Sequence, residues 1–452
     1  MPDSAPPLRP LRGPRGLPLL GNLLAFGRDP LAFLTRLRDE FGDAVTWSLG
    51  PRSSLFVFHP RHIAELLAAR EGAYELLEIG WAFRQIVGRS VILSRGGDWR
   101  RKRALVQPVV RPRQVRSYAP AMVRCAAAAA DGWRDGERID VRAEMALITQ
   151  RIVLRSLFGN DLGPRARTLG SAMDAAEQAV AAELRGIGLF LPGWVRTPSR
   201  RRLLAALGVI DTEIYRLIEE RRGREQAAGQ DGDLLSRLMA ARDEAGRPLS
   251  PSEVRDEAVT LWAAGHETTS TALTWSLYLL SGAPEARARL EAEVEEILGD
   301  RDATVDDYER LVWTRQIVKE ALRLYPPVWL IPAVAREGAA LGGRRVRPGT
   351  IVWCSPWATH RDPRWFPDPD RFRPERWSPH ARRAVPDHAW FPFGSGPRAC
   401  LGARFAQVEA ALVLATLAQR CRLDLPAHEA VPRAGLLVQP AAPLRATVRK
   451  RQ

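Results

Sequence analysis

The segment Phe393-Gly-Ser-Gly-Pro-Arg-Ala-Cys400-Leu-Gly402 decides how this chain is interpreted. Its glycines surround one cysteine with a backbone that can turn tightly and approach a flat ligand closely. A helix-forming run follows from Ala403 to about Arg420, which places Cys400 at a helix N-terminus. Unpaired N–H groups and the helix dipole favour a thiolate there, and a thiolate is a soft metal ligand. The alternative is an inert, buried cysteine in a turn.

This segment resembles the heme-ligand loop of the cytochrome P450 monooxygenases, whose pattern is F-x-x-G-x-R-x-C-x-G. Phe393, Gly396, Arg398, Cys400 and Gly402 fill its fixed positions. The resemblance implies that Cys400 binds the iron of heme b, where a thiolate ligand favours cleavage of the O–O bond of dioxygen. It also implies that neighbouring loop residues contact the heme, namely Phe393, Gly394, Arg398 and Gly402.

A long buried helix is predicted in the second half of the chain. Ser250-Pro-Ser-Glu253 forms a capping box with proline at the first helical position, whereas Gly282 and Pro284 signal the helix end. The helix between these signals has ~30 residues and a length of ~45 Å. Near its middle the helix is apolar around almost the whole circumference, so we expect it to be buried; the apolar residues are Val259, Leu261, Trp262, Ala263 and Ala264.

This helix contains the motif Ala264-Gly-His-Glu-Thr268. A glycine, an acid and a hydroxyl in a buried helix oppose local preference, and such exceptions tend to mark function. The motif resembles the A-G-x-(D/E)-T sequence of the family, which implies that Ala264 borders the heme, Thr268 hydrogen-bonds iron-bound oxygen and Glu267 relays protons. The alternative is that Thr268 bonds to a helix carbonyl while Glu267 forms an internal ion pair. His266 faces elsewhere by helical spacing, and we assign it no metal.

A further motif concerns the scaffold. Glu320 and Arg323 are three residues apart on a predicted helix and share one face. They match the E-x-x-R motif of the family, and Arg376 in the segment 372–377 supplies its third member. The resemblance implies a buried structural cluster of Glu320, Arg323 and Arg376 that holds the heme loop. Trp377 departs from the phenylalanine that often ends this motif.

Heme propionates need hydrogen-bond donors. Trp99 and Arg103 match the W-x-x-x-R pattern of the family, and an indole N–H and a guanidinium both suit carboxylates. Arg398 is implied to reach the other propionate. The alternative for this segment is an amphipathic helix with a basic face.

The chain departs from the family at another propionate position. Many members carry an arginine shortly after the residues equivalent to Ile331-Pro332, where this chain has Ala333. Arg336 lies one turn out of register. His360 is a weaker candidate for the same role.

The formal net charge of +15 raises the question of nucleic-acid binding. Basic residues are spread along the whole chain beside many acids, and no helix-turn-helix, zinc-finger or RNA-recognition pattern occurs, so we expect no nucleic-acid partner. Arg100, Arg101 and Lys102 form a basic group that we interpret as a docking surface for an acidic electron donor.

Cysteine usage and the N-terminal segment bear on location. The four cysteines show no paired spacing and no zinc-like cluster, which is typical of a reduced cytoplasmic protein. The first 21 residues contain no apolar stretch near the ~20 residues of a membrane span and no signal-peptide core. We expect a cytoplasmic monomer without an integral membrane segment.

Hydrophobic periodicity and turn residues predict a mainly α protein with a minor β lobe. The expected order is a helix at 30–41, strands at 44–58, helices from 97 to 325, strands around 331–353 and a meander at 362–390. The resemblance covers about 15–450 and implies the cytochrome P450 fold. We expect a flexible Pro/Arg-rich N-terminus at 1–20 and a single heme domain at 21–452.

The resemblance implies a monooxygenase that hydroxylates a lipophilic small molecule with dioxygen. Electrons would arrive singly from a separate ferredoxin- or flavodoxin-type donor with its NAD(P)H reductase, because the chain is too short to contain a reductase. Two alternatives stay open. One is a peroxide-driven peroxygenase on the same fold, which the pair Glu267 and Thr268 disfavours. The other is a non-catalytic heme sensor or carrier.

The residues expected around the substrate are large and apolar, which favours a terpenoid, a fatty acid or a steroid-like molecule. They are Tyr74, Ile79, Trp81, Phe83, Ile86, Trp262, Ala263, Val328, Trp329, Ile331, Leu436 and Leu437. The apolar segment 189–194 suggests a lid or a membrane-touching patch, with ordinary core packing as the alternative.

Overall fold

The computed structural model describes residues 11–451 except 51, 70, 78–79, 160–161, 163–164, 186–190, 225–232 and 427–429. Helices form most of this part of the chain. The first ten are α1 (Leu23–Arg28), α2 (Pro30–Phe41), α3 (Pro60–Ala68), α4 (Gly80–Val87), α5 (Gly96–Val106), α6 (Pro112–Gly132), α7 (Val141–Phe158), α8 (Arg165–Arg185), α9 (Pro198–Arg224) and α10 (Leu234–Ala240). Those that follow are α11 (Pro251–Ser281), α12 (Pro284–Leu298), α13 (Val312–Leu324), α14 (Pro356–Thr359), α15 (Pro379–Arg382) and α16 (Ala403–Arg420).

Short strands form small sheets beside the helices. They are β1 (Ala44–Leu49), β2 (Arg52–Val57), β3 (Tyr74–Glu75), β4 (Arg138–Asp140), β5 (Ile331–Ala335), β6 (Ala340–Leu341), β7 (Arg344–Arg345), β8 (Ile351–Cys354), β9 (Cys421–Asp424), β10 (Pro432–Ala434), β11 (Val438–Pro440) and β12 (Arg445–Lys450). The largest sheet has the order β1-β2-β8-β5-β3, and smaller ones pair β4-β12-β9, β10-β11 and β6-β7. β2 and β8 are parallel, so strands from distant parts of the chain meet there.

The predicted class, mainly α with a minor β lobe, is confirmed. The expected first helix is α2, and the Asp29 carboxylate accepts a hydrogen bond from the Ala32 N–H at 3.0 Å at its start. The strands expected at 44–58 are β1 and β2, which pair in antiparallel register from Ala44 opposite Val57. The helix expected after the cysteine is α16.

The N-terminal segment predicted to be flexible spans 1–20, and residues 1–10 lie outside the described part. The residues that follow form backbone hydrogen bonds with β1. The Thr46 N–H donates to the Arg12 carbonyl at 3.1 Å, and the Asn22 N–H donates to the Ser48 carbonyl at 2.8 Å. The segment 11–21 therefore adds to the edge of the first sheet.

The central helix α11 has the predicted ends. The Ser250 hydroxyl accepts from the Glu253 N–H at 3.2 Å, and the Glu253 carboxylate accepts from the Ser250 N–H at 2.8 Å. One face of α11 packs closely on α7, because a Cβ at Gly265 would lie 3.3 Å from the Cγ2 atom of Val153. The glycine in the middle of the helix thus has a packing role that sequence reasoning did not assign.

The basic group at 100–102 does not form one surface, and this corrects the predicted docking face. Arg100 is exposed, whereas Lys102 is buried and its ammonium donates to the Ser94 hydroxyl at 3.2 Å and to Asp98 at 3.0 Å. Arg101 pairs with carboxylates, including Asp243 at 3.0 Å. Consecutive residues of a helix point in directions ~100° apart, so three basic neighbours cannot share one face.

Candidate active site

The loop before α16 is held by backbone hydrogen bonds and by one close backbone approach. The Cys400 N–H donates to the Phe393 carbonyl at 2.9 Å, so the loop closes on itself around the cysteine. Gly396 has φ +69°, and a Cβ there would collide with the carbonyl of Leu67 on α3. Only glycine fits this position without moving α3.

The Cys400 side chain is exposed, although the cysteine lies deep in the molecule. Burial raises the pKa of its thiol, and this effect outweighs the Gly402 N–H and the Arg103 guanidinium, which lower it. The sulfur therefore faces internal space. The expectation that the helix N-terminus alone favours a thiolate is incomplete, because desolvation has the opposite and larger effect.

The predicted propionate residues surround this loop. The Arg103 guanidinium donates to the Ala399 carbonyl at 2.8 Å, which joins α5 directly to the residue before Cys400. The Trp99 side chain is buried, and its Nε1–H has no hydrogen-bond partner within the described residues. The guanidinium of Arg398 lies over the Trp99 ring at 4.7 Å from its centroid. The three predicted residues thus lie together.

Arg398 has protein partners that sequence reasoning missed. Its Nε donates to the Glu71 carboxylate at 2.5 Å, and its Nη1 donates to the carbonyls of Val91 and Ile92 at 3.1 and 3.2 Å. Glu71 also accepts from the Gly96 N–H at 3.1 Å. In this arrangement Arg398 joins the cysteine loop to the start of α5.

The predicted scaffold cluster is present and buried, with Glu320 and Arg323 completely enclosed. Arg323 binds the Glu320 carboxylate in a bidentate manner, at 2.9 and 2.8 Å, and Arg376 reaches the same carboxylate at 3.2 Å. The Trp377 indole N–H donates to Glu320 at 2.9 Å. The departure from phenylalanine at this position therefore adds a hydrogen bond to the cluster.

His360, the weaker propionate candidate, is a structural residue, so this expectation is corrected. It is completely buried, its carbonyl accepts from Arg323 at 2.9 Å, and its Nε2 accepts from the Phe391 N–H at 2.9 Å. Burial and the nearby Arg323 lower its pKa well below the usual value. A neutral ring with an accepting Nε2 is not suited to bind a carboxylate.

The contacts of the α11 motif agree with the structural alternative at Thr268 and differ from it at Glu267. The Thr268 hydroxyl donates to the Ala264 carbonyl at 2.8 Å, as the structural alternative expects. Glu267 has no ion pair with any residue in the part of the chain that the structure describes. Its carboxylate instead accepts from the Gln439 amide at 2.7 Å and lies near Glu177 of α8, whose pKa it raises.

Ala264 indicates where α11 faces open space. It lies in the middle of a helix of 31 residues that is otherwise largely packed, yet it is exposed. Thr268 follows one turn later, and residues four apart share a face of a helix. The same face of α11 therefore carries both the exposed position and the hydroxyl.

The pocket predictions for Tyr74 and Trp262 are wrong, because both side chains belong to the packed core. Tyr74 is completely buried, and its hydroxyl donates to the Ala340 carbonyl at 3.0 Å. Trp262 is completely buried, and its ring meets Phe158 of α7 edge-on with centroids 6.5 Å apart. It lies on the helix face opposite Ala264, since two positions differ by ~200°.

Other predicted pocket residues have varied positions. Trp81 and Phe83 are half-buried on α4, and the Arg200 guanidinium lies 4.9 Å from the centroid of the Trp81 ring. Trp329 is buried, and its indole N–H donates to the Gly435 carbonyl at 3.0 Å. Of the remaining predicted pocket residues, three are half-buried, namely Ala263, Ile331 and Leu437. Val328 and Leu436 are exposed, and Ile86 is buried.

The remaining predictions in this region concern residues that are only partly described. Ile79 and residues 189–190 lie outside the described part of the chain. Trp194 is 79% exposed at the other end of the apolar segment. Across the part of the chain that the structure describes, none of the helices has both the length and the apolar character to cross a membrane.

A family model described as Cytochrome P450 matches residues 11–447. The chain belongs to the cytochrome P450 family. Cyclooctatin synthase of Streptomyces melanosporofaciens is 38% identical to this P450 over 439 residues, which cover 96% of this chain and 94% of that protein. Cyclooctat-9-en-7-ol 5-monooxygenase of the same organism is 36% identical over 433 residues, 93% and 92% of the two chains.

A solved structure is also similar to this P450 along its whole length. The crystal structure of the cytochrome P450DA heme domain superposes with a TM-score of 0.86 at 26% identity, and the match covers 100% of this chain and 99% of that chain. The predicted family, the predicted fold and the predicted enzyme class are confirmed: this P450 is a monooxygenase. Family membership implies the use of heme and dioxygen.

We predict that Glu320→Gln destabilises this P450 by about 3–5 kcal/mol. The substitution leaves two guanidinium groups in the interior without a counter-charge, which is the costly way to break a buried ion pair. Urea denaturation monitored by circular dichroism measures the effect. The matched control is Glu375→Gln, which removes a half-exposed carboxylate 3.3 Å from Arg373 and should cost under ~1 kcal/mol. Equal midpoints for the two variants would contradict the role given to the cluster.

Proposed function

We propose that this P450 hydroxylates a cyclic terpenoid, with Cys400 as the thiolate ligand of heme iron. The observation that carries the ligand assignment is the Cys400 side chain itself. It is accessible from internal space although it is deep in the molecule, and its loop is fixed by Phe393, Gly396 and Arg103. A bound metal ion deprotonates a coordinating thiol, so a raised thiol pKa in the free protein does not oppose this role.

The donor set around the loop fits a heme. Trp99 offers a buried indole N–H without a partner in the described chain, which suits a carboxylate oxygen of a propionate. Arg103 provides a guanidinium beside the cysteine, and Arg398 serves as a further donor if it exchanges Glu71 or a carbonyl for a propionate. Phe393, Gly394, Gly402 and Ala264 would contact the cofactor. When bound, the heme activates dioxygen and transfers one oxygen atom to a C–H bond.

The proposed roles on the oxygen side belong to Thr268 and Glu267. Thr268 presents its hydroxyl on the same face of α11 as the exposed Ala264, and this hydroxyl would become a free hydrogen-bond donor for dioxygen if its bond to the Ala264 carbonyl were released. Glu267 is the proposed proton relay, since its carboxylate accepts from the Gln439 amide, lies near Glu177 and forms no ion pair with the described residues.

The proposed substrate class rests on the lining and on the relatives. The positions described as half-buried or exposed around the pocket, such as Phe83, Ile331 and Leu437, carry no charge that would anchor a carboxylate. A fatty acid is best held by such an anchor, whereas a cyclic hydrocarbon or alcohol needs shape and dryness. The name of the relative Cyclooctat-9-en-7-ol 5-monooxygenase denotes an unsaturated alcohol as substrate.

Partners and location complete the proposal. Electrons come from a separate ferredoxin- or flavodoxin-type donor and its NAD(P)H reductase, the enzyme acts as a monomer, and it works in the cytoplasm. Because Lys102 is buried, the docking face would use Arg100 and other exposed arginines instead of the group at 100–102.

We expect Cys400→Ser to abolish monooxygenase activity, since an alkoxide or hydroxyl does not replace a soft thiolate as an iron ligand. The optical spectrum of the reduced, carbon monoxide-bound protein measures the loss of the thiolate ligand independently of turnover. Cys421→Ser is the control, because that cysteine is buried beside β12 and should leave the spectrum unchanged. Wild-type turnover in Cys400→Ser would refute the assignment.

Thr268→Ala should separate dioxygen consumption from product formation. Without the hydroxyl, product per dioxygen consumed falls by roughly 10²-fold, the lower end of what a positioned proton donor contributes. Oxygen uptake and product yield are measured together with hydrogen peroxide. Thr274→Ala removes a hydroxyl that bonds to the Ser270 carbonyl of the same helix and should retain full coupling. Full coupling in Thr268→Ala would exclude the proton role.

An optical titration of the ferric protein should distinguish the substrate classes. We expect a saturable change of the heme absorption with cyclic terpene alcohols or hydrocarbons, because a ligand that fills the dry pocket displaces water next to the iron. Linear fatty acids of equal carbon number are the comparison and should bind at least ~10-fold more weakly, a difference of ~1.4 kcal/mol. A change produced by fatty acids alone would overturn the terpenoid proposal and leave the monooxygenase assignment intact.

A further inference from the structure

A second group of ligating side chains lies outside the Cys400 site, between α8 and α11. Asp174 and Glu177 are three residues apart on α8 and therefore share a face. His266 of α11 faces them. One ligating atom from each of these three residues lies within 4.8 Å of the others, and the His266 Nε2 atom is 3.6 Å from Oε1 of Glu177.

His266 is oriented as a metal ligand is. Its side chain is 1% exposed, and its Nδ1 lies 3.1 Å from the Trp262 carbonyl oxygen. A carbonyl only accepts, so the proton of the neutral ring is on Nδ1 and the lone pair is on Nε2. Nε2 has no hydrogen-bond partner among the described residues. A buried nitrogen lone pair thus points at the two acids without being used.

The carboxylates are oriented as well, and within the described ranges none of the ion pairs joins Asp174 or Glu177 to an arginine or a lysine. The Gln150 amide donates to Asp174 at 3.2 Å, and the Gln439 amide donates to Glu267, which lies near Glu177. Burial and the neighbouring Glu267 raise the pKa of Glu177, and Arg142 opposes this only weakly. Three acids and one neutral imidazole therefore share a partly buried site that is rich in electrons and poor in positive charge.

The geometry suits a small divalent cation. Zinc binds nitrogen and carboxylate oxygen at ~2.0–2.2 Å, so two ligands of a tetrahedral site lie ~3.4 Å apart. The 3.6 Å between the His266 Nε2 and Glu177 Oε1 atoms is close to this ligand–ligand distance. Rotation of the Asp174 side chain would bring its carboxylate to the third ligand position. Hydrogen-bonded partners that fix the tautomer of a histidine and the orientation of a carboxylate are typical of metal sites.

We propose that Asp174, Glu177 and His266 form a binding site for a zinc-type divalent cation, separate from the iron site at Cys400. Three protein ligands leave the fourth position to water. Because Glu177 also contacts Glu267, an ion bound here withdraws Glu177 from that contact and changes the surroundings of the acid that relays protons. This regulatory consequence rests on the proposed function of Glu267, whereas cation binding itself does not.

Isothermal titration of the heme-loaded, chelator-treated protein with Zn²⁺ tests the proposal. We expect one saturable site in the wild type. Asp174→Asn, Glu177→Gln and His266→Gln should each weaken binding at least ~100-fold, since even partners outside the ligand set contribute ~10–100-fold. The control His380→Gln removes an exposed histidine and should leave binding unchanged.

The variants differ in how much they disturb the fold, which keeps the test decisive. Asp174 is exposed, so Asp174→Asn retains the wild-type heme spectrum and thermal midpoint even if the buried His266→Gln does not. Absence of a saturable Zn²⁺ site in the wild type, or equal affinity in the wild type and Asp174→Asn, would overturn the proposal.

A kinetic measurement tests the link between cation binding and Glu267 independently of binding itself. Zn²⁺ should lower product per dioxygen in the wild type and in His380→Gln, but not in Asp174→Asn. If Zn²⁺ binds as predicted and coupling does not change, the cation site stands and its link to Glu267 is refuted.

Discussion

The buried carboxylate of Glu320 is the contact on which the cysteine side of this P450 depends. Both of its oxygens are used, by Arg323, Arg376 and the Trp377 indole. Arg323 extends the cluster to the carbonyls of His360, Pro369 and Arg371. The segment that these carbonyls belong to has little regular secondary structure of its own, so its position is set by α13 through charge-assisted hydrogen bonds. A buried ion cluster of this kind specifies an arrangement more than it adds stability.

The same network reaches the cysteine loop. His360 accepts the Phe391 N–H just before the loop begins, and Phe393 then accepts the Cys400 N–H. From the other side, Arg103 of α5 holds the Ala399 carbonyl. The sulfur is thus positioned by contacts within the loop and by two segments far from it in sequence, at His360 and on α5, and each contact fixes backbone rather than the cysteine side chain. That leaves the side chain free to serve as a ligand.

The ends of several helices could be predicted from the sequence because residues close to those ends determine them. The capping box at Ser250, the proline and glycine stops of α11 and the helix after Cys400 follow from turn chemistry and helix geometry within a few residues. The side-chain directions of Tyr74, Trp262, Lys102 and His360 could not, because they depend on which neighbour lies across an interface. Trp262 is apolar and lies near the middle of α11. Only the packing of α7 against α11 determines that its side chain lies in the core and not beside the substrate.

The cluster at Asp174, Glu177 and His266 was out of reach of sequence reasoning for the same reason. Its members come from two helices, and no spacing rule links an i, i+3 acid pair on α8 to a histidine on α11.

The physical constraint on that cluster is electrostatic. Carboxylates taken out of water need positive charge, and near Glu267 it comes either from protons or from a metal ion. Both bind the same oxygens, so they compete. The desolvation that raises the pKa of Asp174 and of Glu177 therefore also makes these acids a favourable site for a divalent cation. Proton supply and cation binding are, on this argument, two states of one group of residues.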